Sequence, residues 1–125
     1  MPESASCVEL ADGVIVARLR GNASEELLRR TQDEVFRLAA STGGSRVLLD
    51  VTEMNPPPLE LVSVQRRLDE DRRASRLRRA IVVPDSRVAF LIRLAFGEGD
   101  YRVFYNDRAG AVKWLEGEAA GSRSA

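Results

Sequence analysis

Arg46-Val-Leu-Leu-Asp-Val-Thr-Glu-Met-Asn-Pro-Pro-Pro-Leu-Glu-Leu-Val62 joins an apolar run to a proline loop and a helix start, and the rest of the chain is organised around it. Val47, Leu48, Leu49 and Val51 form a run that is apolar except for Asp50, which predicts a strand over 46–51 covered on both faces and ending at an acidic tip. Asn55-Pro56-Pro57-Pro58 follows, and each proline fixes φ and removes an amide donor, so the loop is expected to be extended and rigid. Pro58 suits the first position of a helix over roughly 59–73, with Leu61, Val64 and Leu68 on one line and Leu59 and Val62 beside it. A strand whose carboxyl end opens on a loop and a helix N-terminus is where open α/β domains place ligands and partners.

The segments on either side repeat this theme. Upstream, Cys7–Leu10 and Val14–Leu19 are short β-rich runs joined through Asp12-Gly13, a strong hairpin signal. Val14 and Val16 share one strand face, and Ile15, Ala17 and Leu19 share the other, so the second run is expected inside the sheet. A helix follows, with Asn22 and Ser24 as rival N-caps, Leu27, Leu28, Thr31, Val35, Leu38 and Ala39 at helical spacing, and Gly43 as C-cap. Downstream, Ala80–Val83 reads as a strand and Asp85 or Ser86 caps a third helix. Its stripe is Val88, Leu91, Ile92, Ala95 and Phe96, with Phe90 and Leu94 largely outside it. Tyr101–Tyr105 is a last strand, and Asn106-Asp107 caps a short helix over 108–115 that holds Ala109, Val112 and Leu115 inward. Alternation of this kind calls for an α/β fold with parallel strands and right-handed crossovers behind a hairpin. The expected organisation is one domain over residues 7–116, with flexible ends at 1–6 and 117–125.

Composition narrows the function. The chain has 125 residues, 44% hydrophobic and 30% charged, with zero formal net charge, which speaks against a general electrostatic grip on nucleic acid. Cys7 is the only cysteine and histidine is absent, so no internal disulfide or Cys/His metal cluster is expected. No signal-peptide pattern opens the chain, and no apolar run approaches the ~20 residues of a membrane span. A cytoplasmic protein is therefore expected. Eighteen of the nineteen basic residues are Arg, as a GC-rich genome would produce. Arg66 to Arg79 holds seven of them, interleaved with Asp69, Glu70 and Asp71 in the pattern of a solvated, ion-paired surface.

Three stretches together carry a family likeness: the hairpin start followed by Val-Leu-Leu-Asp50-Val-Thr-Glu-Met, then Arg79-Ala-Ile-Val-Val-Pro-Asp85, then Tyr101-Arg-Val-Phe-Tyr-Asn-Asp-Arg-Ala-Gly-Ala-Val-Lys-Trp-Leu115. Over about residues 7 to 116 they resemble the STAS domains of bacterial anti-sigma-factor antagonists, the SpoIIAA-like fold, in particular an uncharacterised subgroup related to STAS and CRAL-TRIO domains. The resemblance implies a mixed, mostly parallel five-stranded sheet with four helices, built as a β-α superhelix. It also implies regulation by a partner kinase that phosphorylates an Asp-Ser pair at the start of the helix after the central strand. Matching Asp50-Val-Thr to the family's central strand places Pro58 and Leu59 where that pair would stand, so the acceptor hydroxyl is missing. Ser63 lies one turn into the helix, expected to be poorly accessible, and Ser86 is the other weak candidate.

Catalysis finds little support. Asp50 and Asp85 both end predicted strands and could share a rim as an acid-base pair, but capping and loop hydrogen bonding are the commoner work of strand-end aspartates. No cofactor is called for. The expectation is a binding or regulatory module acting through the loop 52–58, with Pro56, Pro57, Pro58 and Leu59, and through the apolar helix 88–96. Phe90 and Leu94 have three possible uses: a homodimer or partner-protein face, the wall of a cavity for a lipid-like apolar molecule, or plain core packing.

Overall fold

The protein is described by a computed structural model over residues 4–71, 77–97 and 100–121. The order is β1 (Ala5–Ala11), β2 (Val14–Gly21), α1 (Glu25–Thr42), β3 (Arg46–Met54), α2 (Leu59–Asp71), β4 (Arg78–Val83), α3 (Ser86–Phe96), β5 (Tyr101–Tyr105) and α4 (Arg108–Gly121). The sheet runs β1-β2-β3-β4-β5; β1 and β2 are antiparallel, and every later pairing is parallel. The hairpin turn places Asp12 at φ 53° and Gly13 at φ 80°, the left-handed values that a two-residue turn between twisted strands demands. Of the charged segment, Arg72, Arg73 and Arg76 lie outside the described residues, as do Glu98 and Gly99 after α3.

Strand periodicity splits the interior into two layers. Ile15, Ala17, Val47, Ile81 and Val83 point to the layer of α1, α2 and α3, where they meet Leu27, Val35, Val62, Val88, Ile92 and Phe96. Val14, Val16, Leu48, Ala80 and Val82 point the opposite way and pack under Ala111 and Leu115 of α4. The first layer thus has three helices and the second has one.

Element ends depart from expectation in ways that matter. Ser24 prevails as the cap of α1, its hydroxyl accepting from the Leu27 amide at 3.1 Å. Asn22 instead accepts from the Asn55 side chain at 2.8 Å, tying the corner before α1 to the proline loop. Gly43 closes α1 at φ 74°, and its amide donates to the Ala39 carbonyl. β3 extends three residues beyond Val51, because its further residues pair with Arg20 and Gly21 of β2. Pro58 precedes the first helical residue of α2 rather than filling it, and its carbonyl accepts from Leu61 and Val62. Leu59 is exposed, while Val62 and Val64 are the buried positions of α2. In α4 the inward alanine is Ala111, with Ala109 exposed, since the helix turns Ala111 and Leu115 onto the sheet together. β1 starts at Ala5 and α4 runs to Gly121, past the expected limits at 7 and 116.

Candidate functional site

Asp50 is not a strand tip. Lengthening β3 puts it inside the strand, 6% exposed, on the α4 side of the sheet. Its Oδ1 accepts from the Thr52 amide at 3.0 Å and the Thr52 hydroxyl at 2.7 Å. Its Oδ2 accepts from Arg108 at 2.9 Å and faces Arg18 of β2 at 3.8 Å. Burial pushes the carboxyl up, but the Thr52 bonds and the Arg108 charge outweigh it and hold the group below the usual carboxylate range. Arg108 is the first residue of α4, where the helix dipole disfavours a cation; the carboxylate beneath it offsets that. Asp50 is a clamp between β2, β3 and α4. A carboxylate held ionised in this way is poorly matched to proton transfer near neutral pH.

Asp85 has a separate role. It caps α3, accepting from the Val88 amide at 3.0 Å, and shares none of the partners given for Asp50. The paired-carboxylate arrangement is therefore not assembled. Among the described residues, no group of three or more His, Cys, Asp and Glu could hold a metal ion, and no helix is long and apolar enough to cross a membrane.

The apolar candidates lie on the three-helix layer. α3 buries Val88, Ala89, Leu91, Ile92, Ala95 and Phe96, and leaves Phe90 59% and Leu94 37% exposed. Core packing therefore does not account for those two. Residues i and i+4 on a helix share a face, so Phe90 and Leu94 form one outward apolar strip. On the neighbouring helix Leu59 is 63% exposed, next to exposed Pro56 and Pro58, while Pro57 is half-buried. The loop is anchored by the Asn55 amide, which donates to the Gly21 carbonyl at 3.0 Å. Ser63 is exposed on α2, contrary to the expectation of poor access, because it lies opposite the buried valines. Ser86, the first residue of α3, is exposed as well.

Two adjoining cavities, of about 60 and about 50 Å³, lie between the sheet and α1, α2 and α3. Leu91, Ile92, Ala95 and Phe96 of α3 line the smaller one, whereas Phe90 and Leu94 line neither. Both are far below the 300–1,000 Å³ of a typical ligand pocket, so neither has room for a lipid chain.

Three features here had no signature in the sequence. Arg18 and Arg108 reach Asp50 from 32 positions before and 58 after it. Gln65 donates to Gln32 across the α1–α2 seam at 2.9 Å. Asp69 and Arg79 form a largely buried ion pair that closes the end of that seam. Each joins residues distant in sequence, and only the i,i+3 and i,i+4 pairs are legible from spacing.

No protein-family model matches the chain, and no curated protein matches it in sequence. Solved structures do match it in shape. An anti-sigma factor antagonist from Mycobacterium paratuberculosis superposes with a TM-score of 0.66 at 13% identity, over 91% of this chain and 95% of that one. An uncharacterized protein of the DUF3478 family from Shewanella loihica PV-4, with a SpoIIAA-like fold, gives 0.63 at 20% identity, over 90% and 93%. The likeness in shape runs nearly end to end in both, and this chain, a hairpin followed by three β-α crossovers and α4, has the SpoIIAA-like fold.

Proposed function

We propose that the protein is a non-catalytic regulatory module of the cytoplasm that docks a protein, a second copy of itself or a different chain, through α3 and the loop 52–58. The observation that carries this reading is the pair Phe90 and Leu94, outward on a helix whose other apolar residues are all buried. Aromatic and aliphatic anchors on a rigid element are what protein-binding surfaces use. The proline loop and Leu59 add a second apolar segment that loses little entropy on binding, because its backbone is already restrained. The fold is shared with an anti-sigma factor antagonist, a class of protein that works by binding another.

Light scattering on the wild type and on Phe90→Glu tests the self-association arm: a dimer that becomes monomeric on substitution supports it, and an unchanged mass sinks it. If the wild type is monomeric, a photo-crosslinking residue at position 90 or 59 should capture one defined protein in the native cell. Capture no better than from position 29, on the solvated face of α1, would refute the reading.

Partner switching by phosphate at Ser63 or Ser86 is a second reading, supported by the exposure of both hydroxyls. A phosphate on Ser86 would sit in the first turn of α3, where the helix dipole favours negative charge. Intact-mass analysis of protein from its native cell, with and without phosphatase, tests it; no phosphatase-sensitive species under any growth condition counts against it.

A further inference from the structure

We infer that β5 is an edge at which two copies of this chain join, antiparallel and about a two-fold axis at Val103, into one continuous sheet. β5 is the last strand of the sheet and pairs only with β4 among the described residues. The Arg79 amide donates to the Asp100 carbonyl at 3.1 Å and the Asn106 amide to the Val83 carbonyl at 2.8 Å, so the even-numbered residues of β5 turn their main-chain groups to β4. Those groups alternate along a strand, which leaves Tyr101, Val103 and Tyr105 with theirs on the open edge. The common devices that keep edges from pairing are missing from β5: it has no proline, no lysine and no bulge against β4, and α4 lies mainly over β4 rather than across the rim.

The residues of the strand select a second copy as the occupant. Turned on itself about Val103, Tyr101-Arg-Val-Phe-Tyr105 sets Tyr101 against Tyr105, Arg102 against Phe104 and Val103 against Val103. The outward-facing residues then meet one another, so the pairs at 101, 103 and 105 each exchange both main-chain bonds. Arg102 and Phe104 form the close pairs between them, with Cα atoms about 4.5 Å apart. The Arg102 guanidinium already lies over the Phe104 ring of its own chain, 5.8 Å from its centre, and gains the ring of the second copy. Tyr105, 48% exposed, gains the Tyr101 ring as a cross-strand neighbour. Arg102 is the one charge in β5, and this register never sets it against itself. Moving the axis to Arg102 would oppose the two guanidiniums, and moving it to Phe104 would carry Tyr101 past the strand to Asp107. The other edge of the sheet lacks this match: β1 turned about Val8 sets Cys7 against Glu9 and Ser6 against Leu10.

The pairing uses β5 alone, so it does not rest on α3 and the loop 52–58, and either reading can fail by itself. The test begins with sedimentation of the full chain over a concentration series. The expected result is a reversible dimer with Kd on the order of 10 µM, weak because an edge of 5 residues buries less than a standard interface. A sample mixing ¹³C-labelled and unlabelled chains should show an intermolecular NOE between the α-protons of Arg102 and Phe104, which the shifted registers do not give. Val103→Pro removes the amide at the axis from both copies but no bond to β4, and should raise Kd about thirtyfold while the ¹H–¹⁵N spectrum shows the fold kept. Phe90→Glu should leave Kd unchanged. A chain still monomeric at about a hundredfold above that Kd overturns the inference. So does a dimer without the Arg102–Phe104 contact, one that folded Val103→Pro leaves intact, or one that Phe90→Glu abolishes. If Val103→Pro does not fold, the contact in the wild type decides alone.

Discussion

The two faces of the sheet are built on different plans. Under α4 the packing is closed: Leu48, Ala80, Val82, Ala111 and Leu115 are almost wholly buried, and Asp50 clamps the helix start through Arg108. Under α1, α2 and α3 the core is larger but less complete, with two small cavities and a helix that still presents Phe90 and Leu94 to the outside. One face is built to stay shut. The other keeps exposed apolar surface of the kind that docking needs, which is why the proposed docking surface falls on it.

The largest expected effect tests whether the α4 face is closed. Leu115→Ala should lose about 3 kcal/mol of stability in urea unfolding, as a buried leucine deletion does when neighbours cannot collapse; a loss under about 1 kcal/mol would mean α4 is a loose lid. Next, added volume should be felt differently on the two sides. Ala111→Leu should cost about 2 kcal/mol by overpacking, whereas Leu49→Phe, beside both cavities, should cost under about 1 kcal/mol. Equal costs would erase the contrast.

Asp50→Asn probes the clamp and should cost about 1–2 kcal/mol at neutral pH through its weakened charged hydrogen bonds. The folded carboxyl lies below its ordinary value, so its contribution is complete above the unfolded pKa, near 4, and is lost as pH falls through the folded one. Wild-type stability should therefore drop below about pH 4 more steeply than that of the variant, followed by chemical denaturation at stepped pH. Smallest of all, Phe90→Glu should change stability by no more than about 0.5 kcal/mol, because the ring is mainly in solvent. A large loss would show that Phe90 belongs to the core and remove it from the docking surface.

Much of this molecule is legible in its residues. The period-2 split of Val14, Val16 from Ile15, Ala17 assigns each side of β2 to its layer, and the α3 stripe separates Val88, Leu91, Ile92, Ala95 and Phe96 from Phe90 and Leu94 as the structure does. Asp85 was legible as a cap because the hydrogen bond it makes is three residues long. The apolar run alone makes Asp50 a strand tip, whereas the end of β3 depends on pairing with Arg20 and Gly21. Spacing alone puts Ala109 inward, whereas the sheet takes Ala111, on nearly the opposite side of the helix, because two alanines look alike until packing selects between them.

Local and periodic features can be read from the residues alone: hairpin, caps, β-α alternation, and which face of each element is apolar. Those follow from steric and hydrogen-bonding rules that act over a few residues. That α1, α2 and α3 share one face while α4 takes the other follows only from the packing of the whole chain. The same packing brings Asp50 to Arg18 and Arg108, Gln65 to Gln32, and Asp69 to Arg79. Those outcomes rest on side chains separated by tens of residues, whose meeting is set by the packing of whole layers rather than by any local pattern.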